Sequence, residues 1–317
     1  MKKVLVAMRR PLSPELKEKL REILGEVSEV VFLEDNPDEA VLAGVDAVLF
    51  FEFRGVVDKL LPSLKKARVF QTITAGTDHI PRDVLPEGAV VLSGSGATAH
   101  WIAEHVFALM LAAARDIVYH TVSMRNGEFH QEAFLKPLDG ATLGIVGLGH
   151  IGCEVAKRAR CFNMRILGLN RRGDRRCDVD WVGRIFERPD FEKVLRESDY
   201  LVVSVALTPE TKGLIGRDEL ALMKKDAVLV NVARGKIIDL EALYEHLKAN
   251  PEFKAALDVW WKYPRRGERF AQPLPIEKLD NVVMTPHIAP KVPGFFERMV
   301  LFSAERLRDW LKQESAA

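Results

Sequence analysis

No charge of either sign dominates this chain of 317 residues: 46 Lys and Arg stand against 45 Asp and Glu, a formal net charge of +1. A chain so balanced has no global field to gather nucleic acid or an anionic membrane, which argues against a bulk nucleic-acid or membrane role. Long apolar runs are missing too. The longest, Val106 to Ala114, has nine residues, where a membrane-spanning helix needs about 20. The opening MKKVLVAM offers five apolar residues in a row before Arg9, too few for a secretory core, so a cytoplasmic chain is expected. Cysteine is scarce: Cys153, Cys161 and Cys177 form an odd set without C-x-x-C spacing. Neither a disulfide framework nor a zinc site is suggested, and three small buried thiols are the expectation. Asn and Gln are few beside a charged content of 29%, a lean toward a thermophilic source.

What is present is a 48% apolar content spread along a chain about twice a typical domain in length, so two cores are expected. Short β-rich runs alternate with amphipathic stretches from end to end, the pattern of parallel sheets covered by crossover helices; the fold class is α/β. KKVLVAM, VSEVVFL, Ala47 to Phe51, Val69 to Thr72 and Val90 to Leu92 form a first series of strands, with a helix over Pro14 to Leu24. A long helix follows from Thr98 to about Arg115, with Ile102, Val106, Leu109 and Met110 at helical spacing. A second series runs through TLGIV, Ile166 to Leu169, Leu201 to Ala206, Val228 to Val232, Ala255 to Val259 and Val282 to Thr285. A last helix spans Phe295 to Leu311.

Gly147-Leu148-Gly149-His150-Ile151-Gly152 fits G-x-G-x-x-G. It follows the strand TLGIV and opens the helix-like stretch IGCEVAKRARCF, the placement that aims backbone N–H groups at a pyrophosphate. A tight turn without a ligand is the alternative. About 20 residues on, where an NAD-binding unit usually places an acidic residue, the strand ends in Asn170-Arg171-Arg172. Asn still hydrogen-bonds a ribose, and Arg171 and Arg172 suit a 2′-phosphate, so NADP is favoured over NAD. With Arg175 and Arg176 following, the stretch also reads as a solvated basic loop.

Several segments in order resemble the D-isomer-specific 2-hydroxyacid dehydrogenases: QTITAGTDHI at 71–80, IAEHVFALMLAAAR at 102–115, LGIVGLGHIG at 143–152, LTPETKGLIG at 207–216, VNVARGKIID at 230–239, ALDVW at 256–260 and NVVMTPHIA at 281–289. The resemblance implies two doubly wound parallel-sheet domains. A Rossmann nucleotide-binding domain, 99–287, would be inserted into a flavodoxin-like substrate domain, 1–98 with 288–317, and the active site would lie in the cleft between them. It implies that Arg234 binds the substrate carboxylate and polarises the keto oxygen, and that His287 is general acid in reduction and base in oxidation. Ala75 and Gly76 would offer N–H groups to the carboxylate, a plain turn being the alternative. Ala206, Thr211 and Val232 would join the glycine loop around the cofactor, and Asp258 would bind the nicotinamide carboxamide unless it is a helix cap.

The family's third catalytic residue is a Glu that holds the His, and here the sequence departs from the pattern. Counting forward from Asp258 at the family offset reaches Tyr263; counting back without gaps from His287 reaches Glu268. Glu268 is preferred, because PIEKLDNVVMTPH aligns without gaps. Trp260 and Trp261 either wall the cleft or simply pack. The function implied is reduction of a small 2-keto acid such as glyoxylate or hydroxypyruvate. Phosphoglycerate, formate or phosphite oxidation, or a nucleotide-sensing corepressor-like role on the same fold, are the alternatives. The family's habit implies a homodimer, for which the apolar helix at 102–114 is one candidate surface and burial inside the monomer the other reading.

Overall fold

The computed structural model describes residues 2–171 and 182–316. The chain divides into two compact units. One holds the residues up to Thr98 and those from Val292 onward; the other is Ala99–Lys291. The chain thus returns to the first unit after Lys291, four residues beyond the expected boundary.

In the first unit five parallel strands, β1 (Lys2–Ala7), β2 (Ser28–Phe32), β3 (Ala47–Phe50), β4 (Val69–Thr72) and β5 (Val90–Leu92), lie in the order β2-β1-β3-β4-β5. β3 and β4 are buried along their whole length, so both faces of the sheet are covered and the strands read as unbroken apolar runs. On one face the helix Pro14–Gly25 starts where Ser13 accepts the Leu16 N–H at 3.2 Å and Pro14 fills the first position, two devices suited to a helix N-terminus. Its buried Leu16, Leu20 and Leu24 share a core with Met299, Val300, Ala304 and Leu307 of the last helix, Phe295–Ala316.

The second unit holds seven parallel strands: β6 (Thr142–Val146), β7 (Arg165–Leu169), β8 (Arg184–Phe186), β9 (Tyr200–Val203), β10 (Val228–Asn231), β11 (Lys254–Leu257) and β12 (Val282–Met284), in the order β12-β11-β10-β9-β6-β7-β8. The order reverses between β6 and β9, the switch point at which open α/β sheets bind their ligands. β8 was not expected from the sequence: it is three residues long, at the sheet edge, and begins with an exposed Arg184, so it carries almost no apolar signal. Because every strand pairs in parallel, all their carboxyl ends emerge at one edge.

The helix Ala99–Ala114 buries Ile102, Ala103, Val106, Phe107, Leu109, Met110, Ala113 and Ala114 within this unit. Its apolarity is therefore spent inside the monomer, and the sequence-based candidate for a dimer surface at 102–114 gives way. The exposed apolar side chains come just after it, at Ile117, Val118, Tyr119, Val122, Phe129 and Phe134. The cysteines also depart from expectation: Cys161 is free but exposed, Cys153 is only partly buried, and Cys177 lies outside the described residues. No helix among the described residues is long and apolar enough to cross a membrane.

Candidate active site

The glycine loop joins β6 to the helix His150–Ala159, and its three glycines do different work. Gly147 has φ +101°, and a Cβ there would lie 2.7 Å from Val205 Cγ1. At Gly152 a Cβ would stand 2.1 Å from the Gly147 carbonyl oxygen, so only glycine lets the helix close on the turn. At Gly149, the N-cap of the helix, a Cβ would meet nothing within 4 Å. That open space lies before the first N–H groups of the helix, which include those of His150 and Ile151. A backbone cradle of this form fits a pyrophosphate: donors without side chains, at the positive end of a ten-residue helix.

Beyond β7, Asn170 Oδ1 accepts the Arg171 N–H at 3.0 Å, which shapes the turn, and Arg171 is exposed. Arg172, Arg175 and Arg176 lie outside the described residues. Beyond β9, Thr211 Oγ1 donates to the Ala206 carbonyl at 2.6 Å and accepts the Thr208 N–H at 2.8 Å, closing the loop that carries both expected cofactor residues.

Beyond β10, Val232 is buried and Arg234 half-buried. The loop is folded by the buried Asn231: its Oδ1 accepts the Ala233 N–H and its Nδ2 donates to the Arg234 carbonyl, both at 3.0 Å. Arg234 Nη1 donates to the Ala233 carbonyl at 2.8 Å. Gly235 lets the next chain pass, since a Cβ there would lie 2.4 Å from the Trp260 carbonyl carbon. The Arg234 turn and the segment after β11 are thus locked backbone to backbone.

Beyond β11 and β12 the chemistry concentrates. Asp258 is fully buried. Its Oδ1 accepts the Thr285 hydroxyl at 2.6 Å and the Ile288 N–H at 2.9 Å; its Oδ2 accepts the Ala289 N–H at 3.1 Å. Between those anchors stands His287, with φ +57°, a left-handed conformation that a non-glycine residue holds only when its surroundings impose it. Burial pushes the Asp258 carboxyl up, but hydrogen bonds from His105, Thr285 and the two backbone amides outweigh it and hold it below the ordinary carboxylate range. Burial also lowers the His287 imidazole pKa; Asp258 opposes that shift, and the Arg234 and Lys291 charges add to it.

Glu268 is not brought to His287. It is exposed, and its carboxylate accepts the Arg265 N–H at 3.0 Å within its own turn, a local bond that a short loop closes more cheaply than a reach across to the imidazole. The residue against His287 is Tyr263, ring centroids 5.5 Å apart, its hydroxyl accepting the Trp260 N–H at 3.3 Å. Counting forward from Asp258 reaches this residue; the gap-free count back from His287 does not. The tryptophans are held by their indoles: Trp260, buried, donates Nε1–H to the Thr285 carbonyl at 3.0 Å, and Trp261, half-buried, donates Nε1–H to the Ile238 carbonyl at 2.7 Å. Two residues of this edge, Asn231 and Thr285, passed unnoticed in the sequence, since each acts through bonds that no motif spacing announces. In the first unit, the turn with Ala75 and Gly76 follows β4 and is held by Thr74, whose hydroxyl donates to the Gly76 carbonyl at 2.8 Å.

A parallel sheet with a glycine cradle at its switch point, and an arginine and a histidine after the two strands that flank β11, matches a known family. The profile described as D-isomer specific 2-hydroxyacid dehydrogenase, NAD binding domain, matches residues 107–289. The chain belongs to that family. A D-3-phosphoglycerate dehydrogenase of Methanocaldococcus jannaschii is 33% identical over 93% of this chain and 56% of its own length. A glyoxylate reductase of Pyrococcus horikoshii is 37% identical over 83% of this chain and 79% of its own. Among solved structures, a D-lactate dehydrogenase from Aquifex aeolicus complexed with NAD and lactic acid superposes with a TM-score of 0.75 at 26% identity, covering 99% of this chain and 96% of that one. The chain thus spans little more than half the length of the phosphoglycerate relative and most of the glyoxylate one.

Proposed function

We propose that this dehydrogenase transfers hydride between NADPH and a small 2-keto acid of the glyoxylate or hydroxypyruvate kind, forming the D-2-hydroxy acid. The observation that carries the reading is the gathering of Gly147–Gly152, Arg234 and His287 at the carboxyl edge of one parallel sheet. Bound in the glycine cradle, the nicotinamide nucleotide supplies the hydride. Arg234, on its locked turn, binds the substrate carboxylate bidentately and polarises the keto oxygen. His287 gives its imidazole proton to that oxygen in reduction and takes it back in oxidation. Asp258 Oδ1 already accepts two hydrogen bonds and Oδ2 only the Ala289 N–H, so a nicotinamide carboxamide would be received at Oδ2. Asn170 would hydrogen-bond the ribose, and Arg171, with Arg172, would pair with a 2′-phosphate, which favours NADP over NAD. Ala75 and Gly76 would contribute N–H groups to the carboxylate.

The test is oxidation of NADPH and NADH, followed separately, against glyoxylate, hydroxypyruvate, pyruvate and phenylpyruvate. Turnover with the two smaller acids and a preference for NADPH support the reading; nucleotide binding without turnover on the whole panel overturns it. We further propose a homodimer, seated on the exposed apolar stretch Ile117 to Phe134 in place of the buried helix before it, and a cytoplasmic setting. Sedimentation of the wild type beside Phe129→Ser/Phe134→Ser reads the dimer directly, a monomeric wild type refuting it.

A further inference from the structure

His105 takes no part in the chemistry so far described, yet it is largely buried, on the helix Ala99–Ala114, with Nε2 2.9 Å from Thr285 Oγ1 and 3.5 Å from Asp258 Oδ1. Proton bookkeeping orients this chain of bonds. The Asp258 carboxylate only accepts, so the single Thr285 hydroxyl proton points to it at 2.6 Å, and the hydroxyl oxygen must then accept from a His105 Nε2–H. Asp258 in turn receives the N–H groups of Ile288 and Ala289, the two residues that follow His287. Donors from the buried helix and from the backbone that keeps His287 at φ +57° thus converge on the Asp258 carboxylate, which links them. Glu268, the residue the sequence offered as His support, lies elsewhere, and Tyr263 covers the ring without a carboxylate.

We propose that His105 is a positioning residue, which through Thr285 fixes Asp258 and thereby the left-handed loop that presents His287. The idea rests on the proposed function for its kinetic readout, and on the fold alone for its spectroscopic one. A proton donor on a loosened loop loses rate rather than affinity, because misplacement by about 1 Å costs up to about a hundredfold. His287 faces Asp258 from the end of β11, Arg234 from the end of β10, Lys291 from its own segment and the Tyr263 ring from the loop after β11. Of these, Asp258 is the group the converging donors hold.

The experiment compares His105→Ala with His105→Gln, whose amide Nε2 can replace the lost donor. In His105→Ala kcat falls about tenfold or more, while KM for the keto acid stays within about twofold; His105→Gln recovers most of the loss. In parallel, the His287 ring signals of isotopically labelled protein move in His105→Ala and return toward wild type in His105→Gln. Unchanged kcat and unchanged His287 signals in His105→Ala overturn the proposal, as does an equal loss of melting temperature and activity in both variants. Should His105→Ala fail to fold, Thr285→Val against Thr285→Ser carries the same comparison. A wild type without turnover refutes the functional reading alone, and the ring signals then decide the positioning role.

Discussion

The two halves of the second unit's carboxyl edge are built on opposite plans. On the side of β6 and β7 the work is done by backbone: glycines at 147, 149 and 152, a helix N-terminus, and a turn made by Asn170. On the side of β10 to β12 it is done by side chains drawn from distant parts of the chain, with Asn231 folding the Arg234 turn and Asp258 gathering Thr285, Ile288, Ala289 and His105 around His287. A backbone site needs room, which glycine provides locally. A proton-transfer site needs held geometry and a tuned charge, which only packed neighbours provide.

The sharpest way to break this contrast is at Arg234. Arg234→Ala is expected to lower kcat/KM by about a hundred- to a thousandfold on every accepted acid, as for loss of a charge-stabilising donor, with the melting temperature little changed; near-normal turnover would remove Arg234 from the chemistry. Next, Gly152→Ala and Gly149→Ala separate packing from ligand approach on the glycine side. The first drives a Cβ against the Gly147 oxygen and is expected to destabilise the fold by about 1–3 kcal/mol. The second should leave the melting temperature alone and weaken nucleotide binding by about tenfold or more, read by fluorescence titration. Equal behaviour of the two variants would dissolve the distinction.

A smaller effect lies in pH. In the proposed reaction His287 must be protonated for reduction, and its imidazole pKa is held below the usual value by burial. The reductive kcat/KM is therefore highest on the acid side and lost as pH rises through a midpoint below that of an ordinary imidazole, while the oxidative direction gains over the same window. A reductive midpoint well above 7 would mean that a carboxylate missing from this geometry reaches the ring. The smallest effect is expected at Glu268→Gln, whose carboxylate serves only its own exposed turn: rates and pH profile should match the wild type, and a displaced profile would restore Glu268 to the mechanism.

Legibility divided along the same line. The glycine fingerprint, the alternation of strands and helices, and the segments around 234 and 287 could be read directly, since each depends on residues close together in the chain. Glu268 could be preferred because the counts from Asp258 and from His287 disagree, and only the folded loop shows which residue meets the histidine. The helix at 102–114 left two readings open, a dimer surface or burial inside the monomer, for a related reason. Apolar spacing says that a face is covered but not by what, and here the cover is the unit's own sheet and the helix His150–Ala159.

By itself, then, the sequence determined the α/β class, the two series of strands, the nucleotide cradle and the family, because local periodicity and turn stereochemistry are properties of neighbouring residues. Tertiary structure alone decided that Tyr263 covers His287, that Asp258 is buried under four hydrogen-bonding groups, and that His105, more than 150 residues away in the chain, belongs to the same network. Those are contacts between segments whose meeting depends on strand order, which no local pattern encodes.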